Sequence, residues 1–326
     1  MGFFTIFAEI SSISMFLVIT LFLGLKKRDF RSVAQIVTGS FFGVTLEFFN
    51  VLLIESYNYS TQFLIQVGSP PGNIPIVIGL SWGLIIWACM GVSNRINLKE
   101  WSRPALDGLL ALTIDLSMDT IAIRLDGGFW IWKDIPLDPF PSINGFFGVN
   151  YGNFVGWFLV VLIFSILMRL EQKIFQNRNS VAISIIYFCI SPFLAYILLY
   201  ISLSIVPFPI IFLFYNYVAD HPEAPPQLIL LLVLVYVLLF AIITQLIAIR
   251  KAKPQIQKDV DWILIFIFMS YHLIYIPFYF MAGLFIEAPL IFFLAFLMLI
   301  IDILIHWLIF DREIFRDQIS KLILVK

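Results

Sequence analysis

Long apolar runs separated by short polar loops divide the sequence. A run of about twenty apolar residues is long enough to cross the hydrocarbon core of a bilayer as a helix. The pattern therefore predicts an all-α fold, a polytopic transmembrane helical bundle with about nine spans. The runs cover approximately residues 3–25, 33–54, 74–93, 104–125, 153–170, 181–206, 228–249, 260–285 and 288–309.

The loops between these runs alternate in charge. Lys26, Lys27, Arg28 and Arg31 follow the first run, whereas the next loop, residues 55–73, contains no Lys or Arg. The alternation continues along the chain, and Lys133 is the only Lys or Arg in the acidic set of loops. Because basic loops stay in the cytoplasm, we predict a multi-pass protein of the plasma membrane with its N-terminus outside and its C-terminus cytoplasmic.

Composition supports this interpretation and excludes other classes of protein. Hydrophobic residues make up 61% of the 326 residues and charged residues only 13%, whereas soluble proteins are roughly half apolar and a quarter charged. The net charge of -1 offers no basic field for nucleic acid, so we expect no nucleic-acid partner. The two cysteines and the three histidines form no metal-binding pattern, and no nucleotide-binding motif occurs. We expect neither a metal nor a cofactor.

The domain organisation predicted from these runs is simple. Residues 1–310 form one transmembrane domain, and residues 311–326 form an amphipathic cytoplasmic tail, since apolar positions recur there at helical spacing among charges. Pro207 and Pro209 predict a break in the sixth run, because proline removes a helical hydrogen bond.

Ionised and polar residues inside the apolar runs are the first candidates for function. Charged side chains are costly in a membrane and usually face protein or a cavity. Asp115 and Asp119 are four apart, which puts both carboxyls on one helix face. With Glu47 and Asn153 at similar predicted depth, they predict one pocket in the outer half of the membrane. Arg124 lies at the same level, and we expect it to pair with Glu47 on another helix.

A tryptophan-rich segment follows these acids. Trp130 and Trp132 alternate as in an extended strand, and Trp157 lies one helical turn after Asn153. These rings suggest an aromatic lid over the acids. The alternative is the belt of Trp and Tyr that lines membrane interfaces regardless of activity, and this belt is the favoured interpretation for Trp82, Trp101, Trp262 and Trp307.

A second set of polar residues lies elsewhere in the apolar runs. Asp302 and His306 are four apart in the last run, and His272 lies in the run before it. We expect a hydrogen bond between Asp302 and His306 as a structural feature. Asp107, near the cytoplasmic end of its run, predicts a solvated or capping role.

Several motifs, taken in order, resemble the carotenoid biosynthesis membrane proteins, which include carotenoid 1,2-hydratases and bisanhydrobacterioruberin hydratases. The resemblance covers about residues 39–170, a family-like core within residues 33–170, and leaves residues 180–310 as additional helices. The motifs are Gly43 with Glu47, Tyr57-Asn58-Tyr59, Asn73 with Trp82, Asp115 with Asp119, Gly128-Phe-Trp130-Ile-Trp132, Gly148-Val and Asn153-Phe-Val-Gly156-Trp157.

This resemblance implies a cofactor-independent hydratase, a lyase that adds water to a terminal C=C of a carotenoid or other polyprenyl lipid. Protonating an alkene carbon needs a water-shielded acid, and adding water needs a base. Glu47, Asp115 and Asp119 would be the catalytic carboxyls. The partners implied are the polyene and the surrounding membrane lipids, and the oligomeric state is open. Substrate-binding candidates are Arg124, Trp130, Trp132, Asn153, Trp157, Tyr59 and Trp82.

The same intramembrane acids suit a protein of another class. In a proton-coupled transporter of a small solute they would relay protons, with Arg124 binding an anion. His272, Asp302 and His306 would then continue the path inward.

Overall fold

A computed structural model describes residues 2–96, 98–175, 181–220, 226–249 and 261–309. The chain is a helical bundle with two small antiparallel ribbons at one end. The helices are α1 Phe3–Leu21, α2 Phe30–Phe49, α3 Ile76–Arg95, α4 Arg103–Ala122, α5 Tyr151–Phe175, α6 Val181–Ile205, α7 Phe208–Asp220, α8 Pro226–Ile249, α9 Trp262–Met281, α10 Leu284–Glu287 and α11 Pro289–Ile309; the strands are β1 Tyr57–Tyr59, β2 Gln66–Val67, β3 Ile74–Pro75 and β4 Trp130–Trp132.

The described helices confirm a polytopic all-α membrane protein. Eight of them are long and apolar enough to cross a bilayer. The remaining predicted span, residues 104–125, corresponds to α4. This helix is long enough to cross a bilayer, but it carries four charged residues and is therefore not one of the eight. The break predicted at Pro207 is present, since α6 ends at Ile205 and α7 begins at Phe208.

Helix α4 lies at the centre of the bundle, which explains how it carries these charges. It packs against α3, α5, α8, α9 and α11, and 16 of its 20 residues are buried. Its carboxyls therefore face other helices and not lipid, as the cost of ionised groups in a membrane requires.

Glycines bring α2 and α3 unusually close together. A Cβ on Gly39 would lie 3.0 Å from the Cα of Gly83, and a Cβ on Gly43 would lie 2.6 Å from the Cβ of Trp82. Small residues four apart allow this approach between membrane helices. The close contact places the Trp82 indole beside Glu47, one turn after Gly43.

Strands β1 and β4 form a two-stranded cover, which we call the aromatic ribbon (residues 57–59 and 130–132). Tyr57 pairs with Trp132, and Tyr59 pairs with Trp130. Side chains alternate between the two faces of a strand, so these four rings are buried while Ile131 is 60% exposed on the other face. The alternation of the tryptophans in the sequence thus corresponds to a real strand.

The described residues do not test every prediction. The amphipathic tail predicted for residues 311–326 lies outside them. The orientation of the termini stays a prediction from loop charge.

Candidate functional site

A cavity of about 310 Å³ lies beneath the aromatic ribbon. It holds carboxyl groups from three helices, surrounded by aromatic side chains, which is an unusual combination inside an apolar bundle. The lining residues used below are Glu9, Glu47, Tyr57, Tyr59, Trp82, Asp119, Trp130, Trp132, Asn153, Gly156, Trp157, Leu203 and Leu230.

Glu47 lies on this cavity wall and receives three hydrogen bonds. Its Oε2 accepts from the Tyr57 hydroxyl and, at 2.7 Å, from the Tyr59 hydroxyl. Its Oε1 accepts from Trp82 Nε1 at 3.0 Å. The side chain is only 3% exposed. Because three donors point at it and a carboxylate is an acceptor only, the arrangement suits the ionised form of Glu47.

Asp115 and Asp119 meet at one amide. The Nδ2 of Asn153 donates to Asp119 Oδ2 at 2.8 Å and to both carboxyl oxygens of Asp115 at 3.2 Å. The two carboxyls also contact each other. Asp119 lines the cavity, whereas Asp115 lies behind it. Asp119 Oδ1 is buried and, within the described chain, has no hydrogen-bond partner.

The predicted pairing of Arg124 with Glu47 is wrong. The guanidinium instead donates to three backbone carbonyls, those of Thr120 at 2.7 Å, Phe147 at 2.8 Å and Asp138 at 2.5 Å. It also lies outside the cavity lining. Arg124 follows the last turn of α4 and points into the 126–150 loop, so it stabilises that loop and does not neutralise an acid.

The predicted tryptophans and tyrosine surround the cavity. Trp82 and Trp157 pack with ring centroids 4.2 Å apart, and Tyr57 packs edge-on against Trp132 at 4.7 Å. Trp82 therefore belongs to this wall and does not sit as an isolated belt residue. Trp132 Nε1 is buried and has no hydrogen-bond partner among the described residues. The cavity wall therefore contains one indole N–H donor that these residues do not satisfy.

Sequence reasoning missed two residues of the site. Glu9 of α1 is fully buried and lines the cavity, and its carboxylate accepts from the backbone N–H groups of Leu64 at 2.6 Å and Ile65 at 2.9 Å. An acid within the first apolar run was the signal that could have found it. The sequence singled out Tyr57 only as part of the Tyr57-Asn58-Tyr59 motif, yet its hydroxyl donates a hydrogen bond to Glu47.

The second set of polar residues forms a network between helices. The side chain of Asp302 bonds to His272 Nε2 at 2.6 Å and accepts from Thr113 at 2.7 Å. The predicted hydrogen bond between Asp302 and His306 is present, since His306 Nδ1 bonds to the Asp302 backbone carbonyl at 2.7 Å. His272 Nδ1 also meets Ser117 of α4 at 3.0 Å.

The solvated or capping role predicted for Asp107 is wrong. It is fully buried and forms an ion pair with Arg169 at 2.8 Å and a hydrogen bond with Ser165 at 2.5 Å. It therefore ties α4 to α5 and is neither solvated nor a cap. Within the described ranges, no three His, Cys, Asp or Glu side chains are grouped so that they could hold a metal ion.

A family model for carotenoid biosynthesis proteins matches residues 7–217. The chain belongs to this family. This carotenoid biosynthesis protein is thus a multi-pass membrane protein, and its match is longer than the motifs alone indicate, since it includes Glu9 and helices α6 and α7. Helices α8, α9 and α11 follow the matched range. No curated protein and no solved structure matches the chain.

Proposed function

We propose that this protein is a hydratase that adds water across a terminal C=C of a carotenoid or other polyprenyl lipid. One observation carries the proposal: an apolar cavity is lined both by Asp119, whose carboxyl is in contact with that of Asp115, and by Glu47, whose carboxylate accepts three hydrogen bonds. Carotenoid biosynthesis supplies a hydrophobic polyene as the substrate class.

Asp119 is the proposed acid. Two carboxyls in contact cannot both ionise easily, so Asp115 and Asp119 share a proton, and the Asn153 amide holds both in place. Asp115 supports this pair from behind the cavity wall. The Asp119 carboxyl, which lines the cavity, delivers the proton to the terminal alkene carbon, and the π electrons of the alkene form the new C–H bond.

Aromatic faces then stabilise the tertiary carbocation that remains. Trp82, Trp157, Trp130 and Trp132 all line the cavity, and a ring face attracts a cation within about 6 Å of its centroid. The carboxylate of Glu47 adds a negative charge to the same wall.

Glu47 is the proposed base. Among the described residues, its Oε1 accepts a hydrogen bond from Trp82 alone, which leaves a lone pair for a water molecule. As the water oxygen bonds to the cationic carbon, Glu47 takes one of its protons. The product is a tertiary alcohol, and solvent exchange returns the proton to the aspartate pair. Alkene plus water gives the alcohol, so no oxidant or cofactor is needed.

The cavity size restricts which part of the substrate enters. A volume of about 310 Å³ lies at the low end of small-molecule sites, so the cavity accommodates an end group and not a whole polyene. Leu203 of α6 and Leu230 of α8 line it, and α6 and α8 also carry large exposed apolar side chains. We propose that the polyene tail lies in the membrane between these two helices.

Isotope incorporation tests the proposal directly. The protein in lipid nanodiscs is incubated in D2O with an acyclic carotenoid, and the product is analysed by mass spectrometry. Hydration gives one added water per end group, with one deuterium on the carbon next to the carbinol carbon. Binding without any mass change would overturn the proposal.

A transporter is the second candidate, and the buried network of Thr113, Ser117, His272 and Asp302 favours it because it extends the polar groups across three helices. Proton-coupled uptake into reconstituted vesicles, together with an absence of hydration, would support it.

A further inference from the structure

A basic groove lies at the other end of α4, away from the cavity. We define it by five cationic residues and one acid on its wall: Arg31, Lys99, Arg103, Arg169, Lys173 and Glu100. Its volume is about 890 Å³. This groove is separate from the cavity, because no residue lines both.

Three of these cations already have acidic partners. Arg31 pairs with Glu171 at 2.6 Å, Arg169 with Asp107 at 2.8 Å and Lys173 with Glu100 at 2.5 Å. These ion pairs fix the walls of the groove, since they join α2 to α5, α4 to α5, and the turn before α4 to α5.

Two cations are left over. In the part of the chain that the structure describes, Lys99 and Arg103 form no ion pair, and Arg103 Nε is buried without a hydrogen-bond partner. A buried guanidinium donor without a partner costs free energy. Lys99, which is exposed, and Arg103, which is half-buried, both line the groove and therefore offer two positive charges to an anion.

The groove also has an apolar border. Trp101 is 58% exposed, Ile166 37% and Leu170 43%, and all three line it. Ile166 and Leu170 are four apart on α5, so they form one apolar stripe, which lies beside the cations Arg169 and Lys173 of the same helix. A soluble anion would not use this stripe, whereas an amphiphile with a phosphate head and acyl chains would contact both parts.

We propose that the basic groove binds the phosphate headgroup of an anionic membrane lipid. Arg103 and Lys99 contact the phosphate, and Trp101 lies at the level of the glycerol backbone, where amphipathic rings concentrate. The acyl chains follow Ile166 and Leu170. Basic pockets between membrane helices recognise anionic headgroups through the same charge-assisted hydrogen bonds.

Native mass spectrometry of the full chain provides the test. The detergent-purified protein is titrated with phosphatidylglycerol and, separately, with phosphatidylcholine. We expect preferential retention of phosphatidylglycerol. Arg103→Gln and Lys99→Gln should each weaken its binding by about fivefold, as expected when one basic residue is lost near an anionic lipid. Lys26→Gln is the matched control, because it removes the same charge from an exposed residue outside the groove.

Each other outcome overturns the proposal. Equal losses in Lys26→Gln and Arg103→Gln would show only a general effect of charge. Equal retention of the two lipids would exclude headgroup recognition. Displacement of the lipid by inorganic phosphate at the same concentration would identify a free anion as the ligand. Where Arg103→Gln lowers the melting temperature, the exposed Lys99→Gln decides, since loss of that side chain removes no packing.

Discussion

Replacing Asp119 by asparagine separates the chemistry of the carotenoid biosynthesis protein from its folding. Asparagine has nearly the same size, and its carbonyl can keep the 2.8 Å bond from Asn153. Its amide would occupy the place of Oδ1, which accepts no hydrogen bond from the described residues. Since no net hydrogen bond is lost, we expect the free energy of unfolding to change by no more than about 1 kcal/mol.

Turnover should respond very differently. The amide cannot donate a proton to carbon, and a positioned acid usually contributes at least about a hundredfold to the rate. A hundredfold loss corresponds to about 2.7 kcal/mol of activation free energy. Trp132→Phe should cost less, at most about 2 kcal/mol, because a ring face remains.

The assay is the initial rate of deuterated alcohol formation in nanodiscs, measured beside thermal unfolding of the same samples. Asp126→Asn is the matched control: Asp126 accepts two hydrogen bonds from Thr5 and does not line the cavity. Its rate should be unchanged. Full turnover in Asp119→Asn would refute the assignment and move the acid role to Glu47 or Asp115. Activity in all three amide variants would refute the hydratase mechanism itself.

Three further predictions concern the cavity, the ribbon and the orientation. A Cβ on Gly156 would meet no atom within 4 Å, so Gly156→Ala should be tolerated whereas Gly156→Leu should fill the cavity and raise KM, as steady-state kinetics would reveal. The Lys133 ammonium, 2.6 Å from Glu55, lowers the pKa of that exposed carboxyl below its usual 4.5. The pair therefore stabilises the ribbon above about pH 4.5 and is lost as the pH falls through the lowered pKa; hydrogen exchange corrected for intrinsic rates should speed up there, but not in Lys133→Met. In a cysteine-free background, an impermeant thiol reagent added outside cells should label a cysteine at Asp138 and not one at Lys99, and the reverse would overturn the predicted orientation.

The fold was largely predictable because its main signals are local. Apolar runs of spanning length identified the helices, and the alternation of Trp130 and Trp132 indicated a strand. The i, i+4 spacing of Asp115 and Asp119 correctly placed both on one face of α4. Each of these signals depends on neighbouring residues alone, so no knowledge of tertiary packing was needed.

Partners of polar groups were harder to predict because they come from distant parts of the chain. Arg124 finds backbone carbonyls in a loop whose path no periodicity reveals. The side chain of Asp302 bonds to His272 on another helix, whereas His306, which is nearer in sequence, bonds to its backbone carbonyl. Glu9 was passed over because one acid in an apolar run carries no spacing pattern of its own. Its partners, the backbone N–H groups of Leu64 and Ile65, are more than fifty residues away in the sequence and are brought to it only by the fold.

The central position of α4 has a consequence for how the chain is made. Thr113 of α4 bonds to Asp302, which lies 189 residues further along. At usual elongation rates of about 5–20 residues per second, roughly ten to forty seconds of translation separate the two. During this time the nascent α4 carries three aspartates without the helices that later surround it. Until α9 and α11 have been synthesised, these carboxyls have to be shielded from lipid by the helices already made or by the insertion machinery. Slowed translation of the last third of the chain should therefore increase degradation of the new protein.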